Sequence, residues 1–254
     1  MTHLDWGLAG KTVIVTGATG AIGRAVAAGF AEAGATVAIV DLDQARCDMT
    51  ALSLGLEHRG YGADLRRFSD LPGLLARIEA DLGLATVLVN IAGVILRTAD
   101  LFSVTEKEWD AQHDINLKAL FFLTQAFAKR LAETGTPGSV INYSSQGALS
   151  GGFGGSVVYN ATKGAITTMT RGMARSWAPL NIRVNAVAPG LVDTPMLKTP
   201  GQSDADREAM IQQIPMQRLG LPEDHVGATV FLASDMARYM AGAMINVSGG
   251  FLMY

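Results

Sequence analysis

A short β-branched run, Thr12-Val-Ile-Val-Thr16, leads directly into Gly17-Ala-Thr-Gly-Ala-Ile-Gly23 and then into an alanine-rich amphipathic stretch to about Ala33. That succession leaves few folds open. A run with no polar alternation reads as a strand covered on both faces. Glycines directly after it allow a tight turn and a close backbone approach to a ligand. The helix that follows points its free N-terminal amides at the same place, which suits a phosphate. Thr36-Val-Ala-Ile-Val40 reads as the next strand and ends on Asp41. A carboxylate there accepts hydrogen bonds from both ribose hydroxyls of a dinucleotide and repels a 2′-phosphate. This predicts NAD rather than NADP, and Asp43 adds to the bias. A glycine turn serving only as a tight connection is the alternative, and the placing of Asp41 counts against it.

The alternation continues along the chain. Gly60–Ala63 is a weak third strand, Thr86–Val89 a fourth closed by Asn90-Ile-Ala-Gly93, and Val140–Tyr143 a fifth ending in Ser144-Ser145. Ile182–Val187 is a sixth, terminated by Pro189-Gly190, and Ala243–Val247 a seventh. Helices are expected over about Ser69–Leu82, Thr105–Glu133, Ser156–Ala178 and Glu223–Ser234. Strands separated by helices throughout predict an α/β fold, a single-domain, Rossmann-like, doubly wound seven-stranded parallel sheet with helices on both faces. With 49% hydrophobic and 17% charged residues, the chain can fill such a core.

The same totals exclude several functions. A formal net charge of −3 without a basic run argues against nucleic acid or an anionic membrane as partner. Cys47 is the one cysteine, and the four histidines lack metal-ligand spacing, so neither a disulfide nor a metal site is expected. The first residues lack the basic and then apolar pattern of a signal peptide, and no uncharged run spans a bilayer, which points to a soluble, cytoplasmic protein.

Tyr159-Asn-Ala-Thr-Lys163 puts a phenol and an ammonium on one helix face, one turn apart. Free, they hold their protons to about 10 and about 10.4. A cation beside the phenol favours phenolate, and the tyrosine then serves as acid or base nearer neutrality. A core tyrosine with a solvated lysine is the commoner meaning of the spacing, so the rest of the chain must decide.

Together these stretches, from Lys11 to Asn246-Val-Ser-Gly-Gly250, resemble the short-chain dehydrogenase/reductase family in its short single-domain branch. The resemblance implies that Tyr159 is the general base toward an alcohol and that Lys163 holds the nicotinamide ribose and lowers the tyrosine pKa. It implies that a serine after the fifth strand binds the substrate oxygen, Ser145 by spacing rather than Ser144, and that Asn116 holds a water in the proton relay. Gly17, Thr19, Gly20, Ala21 and Ile22 match the phosphate turn, Asp41 and Leu42 the ribose end, and Asp64 and Leu65 the adenine contacts. Asn90, Ala92 and Gly93 match the turn beside the adenosine; Pro189, Gly190, Val192 and Thr194 match the carboxamide segment. The family commonly forms tetramers, so a homotetramer is expected. Three positions depart from the pattern: Ala21 stands where a glycine is usual, Ile91 replaces a second asparagine so that a sheet-stabilising hydrogen bond is expected to be missing, and Ser248 replaces an aspartate.

Substrate identity lives in loops. Residues 191–206, rich in Thr, Pro and Gly, read as a mobile lid, with the lid region reaching about residue 215. Arg97 is a candidate for a substrate carboxylate or hydroxyls, against a plain surface arginine. Gln146 is a candidate for a substrate hydroxyl, against simple loop hydrogen bonding. Met196 is a weaker lid candidate, and His113 reads as structural. Stretches such as Phe121–Ala126 are similar to family members acting on sugars, sugar acids and polyols, so NAD-dependent oxidation of such a small molecule is the leading expectation. A ketoreductase of acyl-chain or other apolar carbonyls is the alternative, and a non-catalytic NAD-binding protein a third.

Overall fold

The computed structural model describes residues 6–152, 154–197 and 203–254. Seven parallel strands form its sheet: β1 (Thr12–Thr16), β2 (Thr36–Asp41), β3 (Arg59–Gly62), β4 (Ala85–Asn90), β5 (Gly138–Tyr143), β6 (Ile182–Pro189) and β7 (Met244–Val247), in the order β3-β2-β1-β4-β5-β6-β7. The helices are α1 (Ala21–Glu32), α2 (Gln44–Leu54), α3 (Leu71–Leu82), α4 (Glu106–His113), α5 (Leu120–Thr134), α6 (Gly147–Ser150), α7 (Val157–Trp177), α8 (Asp204–Gln212) and α9 (Val226–Ala233).

Period-two alternation divides the sheet between two cores. Val13 and Val15 of β1 point to a layer with Val26, Ala27 and Phe30 of α1 and Val230 of α9. Ile14, between them, points to the opposite layer with Ile78 of α3, Leu123 and Phe127 of α5 and Met173 of α7. Burying a side chain such as Phe30, which is fully enclosed, stabilises the fold by about 1.5–3 kcal/mol. The α1 helix lies so close to the turn before it that a Cβ on Gly23 would overlap the Gly17 carbonyl oxygen.

The strand order reverses between β1 and β4, and the crevice at the carboxyl ends of these strands is where α/β sheets bind ligands. The expected cofactor stretches and Ser145 leave strands at that edge.

The elements correct the expectation in one place and add to it in two. The stretch 105–133 is not one helix: α4 and α5 are joined by a π-helical segment, Asp114–Ala119, with Asn116 inside it. A helix the periodicity did not reveal, α2, follows β2, and Asp43 is its N-cap, accepting from Arg46 N at 3.1 Å. Asp43 is thereby tied to the helix backbone. The expected lid contains a capped helix, α8, in which Ser203 and Asp206 form a capping box. Residues 198–202 of that lid lie outside the described residues, as do Met1–Asp5 and Phe153. No helix among the described residues is long and apolar enough to cross a membrane.

Candidate active site

The phosphate turn has the shape its glycines require. Gly17 adopts φ +66°, and a Cβ there would stand 2.8 Å from Ala92 N. Thr16 clasps the neighbouring turn, its Oγ1 accepting from Ile91 N and Ala92 N at 3.2 Å each. Asp41 reaches back to the same turn: its Oδ2 accepts from Thr19 N (3.1 Å) and Thr19 Oγ1 (2.7 Å), and its Oδ1 from Leu42 N (2.8 Å). Arg46 Nη2 donates to Thr19 O at 3.2 Å, so a cation stands beside the acidic strand end. Leu42 is exposed, and Ala21 and Ile22 begin α1. Farther along the edge, Asp64 is gripped by Arg66 Nε (2.9 Å) and Nη2 (2.8 Å), which holds its carboxyl below the usual range, and Leu65 is buried beside it.

The bond expected to be missing at Ile91 is supplied elsewhere. Asn90 Nδ2 donates to Thr124 Oγ1 and to Asn142 Oδ1, both at 2.9 Å, and Asn142 Nδ2 donates to Thr170 Oγ1 at 3.0 Å. This buried chain joins α5, β4, β5 and α7, and it frees Ile91 to pack as an apolar side chain.

Ser145, Tyr159 and Lys163 converge where β5 ends against α7. The two serines divide as the spacing suggests. Ser144 is enclosed and bonded to Lys163 O (3.0 Å) and Thr167 Oγ1 (2.8 Å), whereas Ser145 accepts from Gly147 N at 3.1 Å and stands near enough to Tyr159 to favour its ionised form. Lys163 is 4% exposed; its Nζ donates to Tyr143 O at 2.7 Å and lies 5.5 Å from the centre of the Tyr159 ring. Burial acts on both groups. It pushes Tyr159 up to about 12, opposed by the Ser145 hydroxyl and the Arg97 charge, and it pushes Lys163 down to about 8. Enclosure outweighs the lowering by Ser145 and Arg97, so the phenol stands above its free value.

Asn116, fully buried, uses its side chain structurally. Oδ1 accepts from Val94 N (2.7 Å), while Nδ2 donates to Val94 O (2.9 Å) and Thr162 Oγ1 (3.1 Å). Thr162 in turn donates to Tyr159 O at 2.6 Å. Gln112 holds Leu96 N at 3.0 Å, and Thr98 N donates to Gly155 O at 3.0 Å. Arg97 is thus carried on backbone fastened on both sides. Among the described residues its guanidinium has neither an ion pair nor a hydrogen bond, and it lies near Gly154. The glycine loop it abuts has φ between +61° and +77° at Gly151, Gly152, Gly154 and Gly155, and Asn160 of α7 ties it by donating to Gly151 O at 3.0 Å. Gln112, Asn160, Thr162 and Thr16 went unread in the sequence, since only their contacts reveal them.

Gln146 is 5% exposed; its backbone N donates to Pro189 O at 2.9 Å, and its side-chain Oε1 is buried without a partner. Gly190 lies so close to the β7 end that a Cβ would be 2.6 Å from Ser248 Cα. Val192 is buried, Thr194 Oγ1 donates to Val192 O at 3.4 Å, and Met196 is exposed at 45%. His113 is structural, stacked on Trp109 at 4.2 Å. No group of metal-ligating side chains occurs among the described residues.

Residues 17–252 match the family model described as enoyl-(acyl carrier protein) reductase. The chain is 38% identical over 251 residues to the 2-dehydro-3-deoxy-D-gluconate 5-dehydrogenase of Escherichia coli (strain K12), covering 96% of each. Its fold superposes with TM-score 0.91 on a 3-ketoacyl-(acyl-carrier-protein) reductase from Brucella melitensis solved with NADH, at 30% identity over 97% of this chain and 100% of that one. It superposes with TM-score 0.88 on a candidate 2-deoxy-D-gluconate 3-dehydrogenase from Agrobacterium tumefaciens with NADP bound, at 36% identity over 98% of each chain.

Proposed function

The chain belongs to the short-chain dehydrogenase/reductase family of oxidoreductases acting on CH–OH groups with a nicotinamide cofactor, and from that premise we propose that it is an NAD-dependent dehydrogenase of a sugar acid, sugar or polyol. The observation that carries the reading is the convergence of Ser145, Tyr159 and Lys163 beside a glycine-lined crevice that ends at Asp41. Gly17 and Gly23 let the turn after β1 pack backbone against backbone on Ala92 and on the start of α1, the strand–turn–helix arrangement that suits a dinucleotide's pyrophosphate. Gly17, Thr19, Gly20, Ala21 and Ile22 would hold its pyrophosphate, and Asp41 and Leu42 its adenosine ribose. Asp64, Leu65, Asn90, Ala92 and Gly93 would flank the adenosine, with Lys163 at the second ribose and Pro189, Gly190, Val192 and Thr194 at the carboxamide. Bound there, the nicotinamide accepts hydride.

The chain's own groups handle the proton. Ser145 Oγ fixes the alcohol oxygen against the Tyr159 hydroxyl, and Tyr159 takes its proton as hydride leaves the same carbon. Tyr159 then gives the proton up by way of Lys163 and the Asn116 segment to solvent. The described parts of the lid, residues 191–197 and 203–215, close over the site, bringing Met196 near it, and four copies assemble.

Arg97 favours an acid over a neutral or apolar substrate. A half-buried guanidinium without a carboxylate partner, on fastened backbone, suits a substrate carboxylate. The test is NADH formation across sugar acids, polyols and apolar alcohols, with NAD and NADP in parallel. Turnover with NAD on the acids is expected. Reduction of apolar ketones with NADPH alone would replace this reading by the ketoreductase.

A further inference from the structure

We propose that Gln112, with Glu108, is a positioning residue for Arg97: it fixes the backbone from which the guanidinium reaches the substrate, and so sets how strongly the enzyme prefers a substrate with a carboxylate. The inference rests on the reading of a dehydrogenase with an acid substrate and deepens it.

From Ile91 to Asp100 the chain after β4 forms neither helix nor strand. Its backbone amides have no ladder to join, and side chains of α4 and the π-helical turn take the place of one. Asn116 brackets Val94, accepting from its N at 2.7 Å and donating to its O at 2.9 Å. Gln112 Oε1 accepts from Leu96 N at 3.0 Å, and Glu108 Oε1 accepts from Thr98 Oγ1 at 3.4 Å. The three gripping side chains are spaced four residues apart and the three residues they hold are spaced two apart. Four helical residues rise about 6 Å and two extended residues about 6.6 Å, so the two periods keep step over this length.

Gln112 is the member of this series that bears on Arg97. It is 1% exposed, and its Nε2 turns back on its own helix, to Glu108 O at 3.4 Å, which leaves Oε1 to the segment. Leu96 N is held by Gln112 and Thr98 N by Gly155 O at 3.0 Å, one on each side of Arg97. Glu108 is itself fixed, because its Oε2 closes the capping box with Thr105 at 2.9 Å. Arg97 has no hydrogen bond or ion pair of its own among the described residues, and its charge acts on Tyr159, which puts it at the reacting end of the crevice. A guanidinium meets a carboxylate through a planar fork, an arrangement that tolerates little displacement. The placing of that fork is inherited from the two backbone bonds beside it, and Gln112 makes one of them from a buried position.

The test is a double-mutant cycle with Gln112→Met and Arg97→Met at saturating NAD. It reads KM and kcat on D-gluconate and D-xylonate and on the polyols of the same skeletons, D-glucitol and xylitol. Gln112→Met is expected to raise KM for the acids by about 3- to 10-fold, with kcat and the polyol KM values within about twofold of the wild type. In the Arg97→Met background it is expected to change the acid KM by less than about twofold, because it acts through the guanidinium. A residue that only supports the fold moves acids and polyols alike, or adds its effect in both backgrounds, and either result overturns the inference. Should Gln112→Met not fold, Thr98→Val decides, since it removes the bond to Glu108 and leaves the backbone bond to Gly155. A rise of about threefold in the acid KM alone is then expected, and the lack of a selective rise overturns the inference. A wild type silent on the acids, or an acid KM unchanged in Arg97→Met, removes the acid reading and this inference with it. An acid KM raised by Arg97→Met and not by Gln112→Met removes this inference alone.

Discussion

Replacing Lys163 by methionine tests whether the buried ammonium sets the pH at which Tyr159 works. Enclosure brings Lys163 down to about 8 and Tyr159 up to about 12, so on raising the pH the first proton leaves the pair near 8. The two act together as one base, and above that pH its deprotonated form dominates. In Lys163→Met the phenol keeps the pKa that burial raises and loses the cation beside it, so a smaller fraction of it is ionised at neutral pH. The stronger base recovers part of this in the transfer itself, so kcat/KM at about pH 7 is expected to fall by about 10²–10⁴-fold. The assay is alcohol oxidation at saturating NAD from about pH 6 to about pH 10, which removes the ribose-binding role of the lysine from the comparison. For the wild type, kcat/KM should rise tenfold per pH unit and level off near pH 8. For the variant it should still be rising at the top of the range. A variant that levels off where the wild type does would show that the ammonium does not set the working pH.

The other predictions follow from single contacts. Asp41→Ser removes the carboxylate that holds Thr19 and leaves Arg46 beside the strand end, so the NAD-to-NADP ratio of kcat/KM should fall by at least about tenfold; an unchanged ratio would show that Asp41 does not select the cofactor. Arg97→Met should raise KM for a sugar acid by about 10-fold or more and leave KM for a neutral polyol within about twofold, measured in steady state. Gly23→Ala forces a Cβ onto the Gly17 carbonyl, backbone against backbone, and should lower stability by about 1–3 kcal/mol in denaturant titration and weaken NADH binding in fluorescence titration. Lys163 also predicts a pH dependence of stability. Its folded pKa lies below its unfolded value, so between about pH 8 and about pH 10 the unfolded chain binds more protons and stability rises with pH. Lys163→Met should lack that rise in melting temperature.

Much of this was legible in the chain because the determining features are local. The β-branched runs, the glycines after β1 and the acid after β2 each act through their own backbone, and β1 through β7 appear where those runs stand. Pairing brings the strand ends to one edge and so gathers the motif residues without further information. What escaped depends on contacts between distant segments. The α2 helix buries only Cys47, Thr50 and Ala51, too narrow a face for apolar periodicity to reveal. The π-helical turn around Asn116 is a change of hydrogen-bond register, and side-chain spacing does not record it. Asn142 reads as a misplaced polar residue in an apolar strand until Asn90 and Thr170 stand on either side of it.

The most direct test of the account is Tyr159→Phe, assayed by near-ultraviolet absorbance for NADH formation on the substrate that the wild type oxidises best, with NADH binding followed by fluorescence. The variant keeps the ring and the crevice and loses only the hydroxyl beside Ser145. Loss of at least about 10³-fold in kcat with NADH affinity retained is the predicted result. Turnover within about tenfold of the wild type would contradict the assignment of the base, and with it the reading of this site as a dehydrogenase centre.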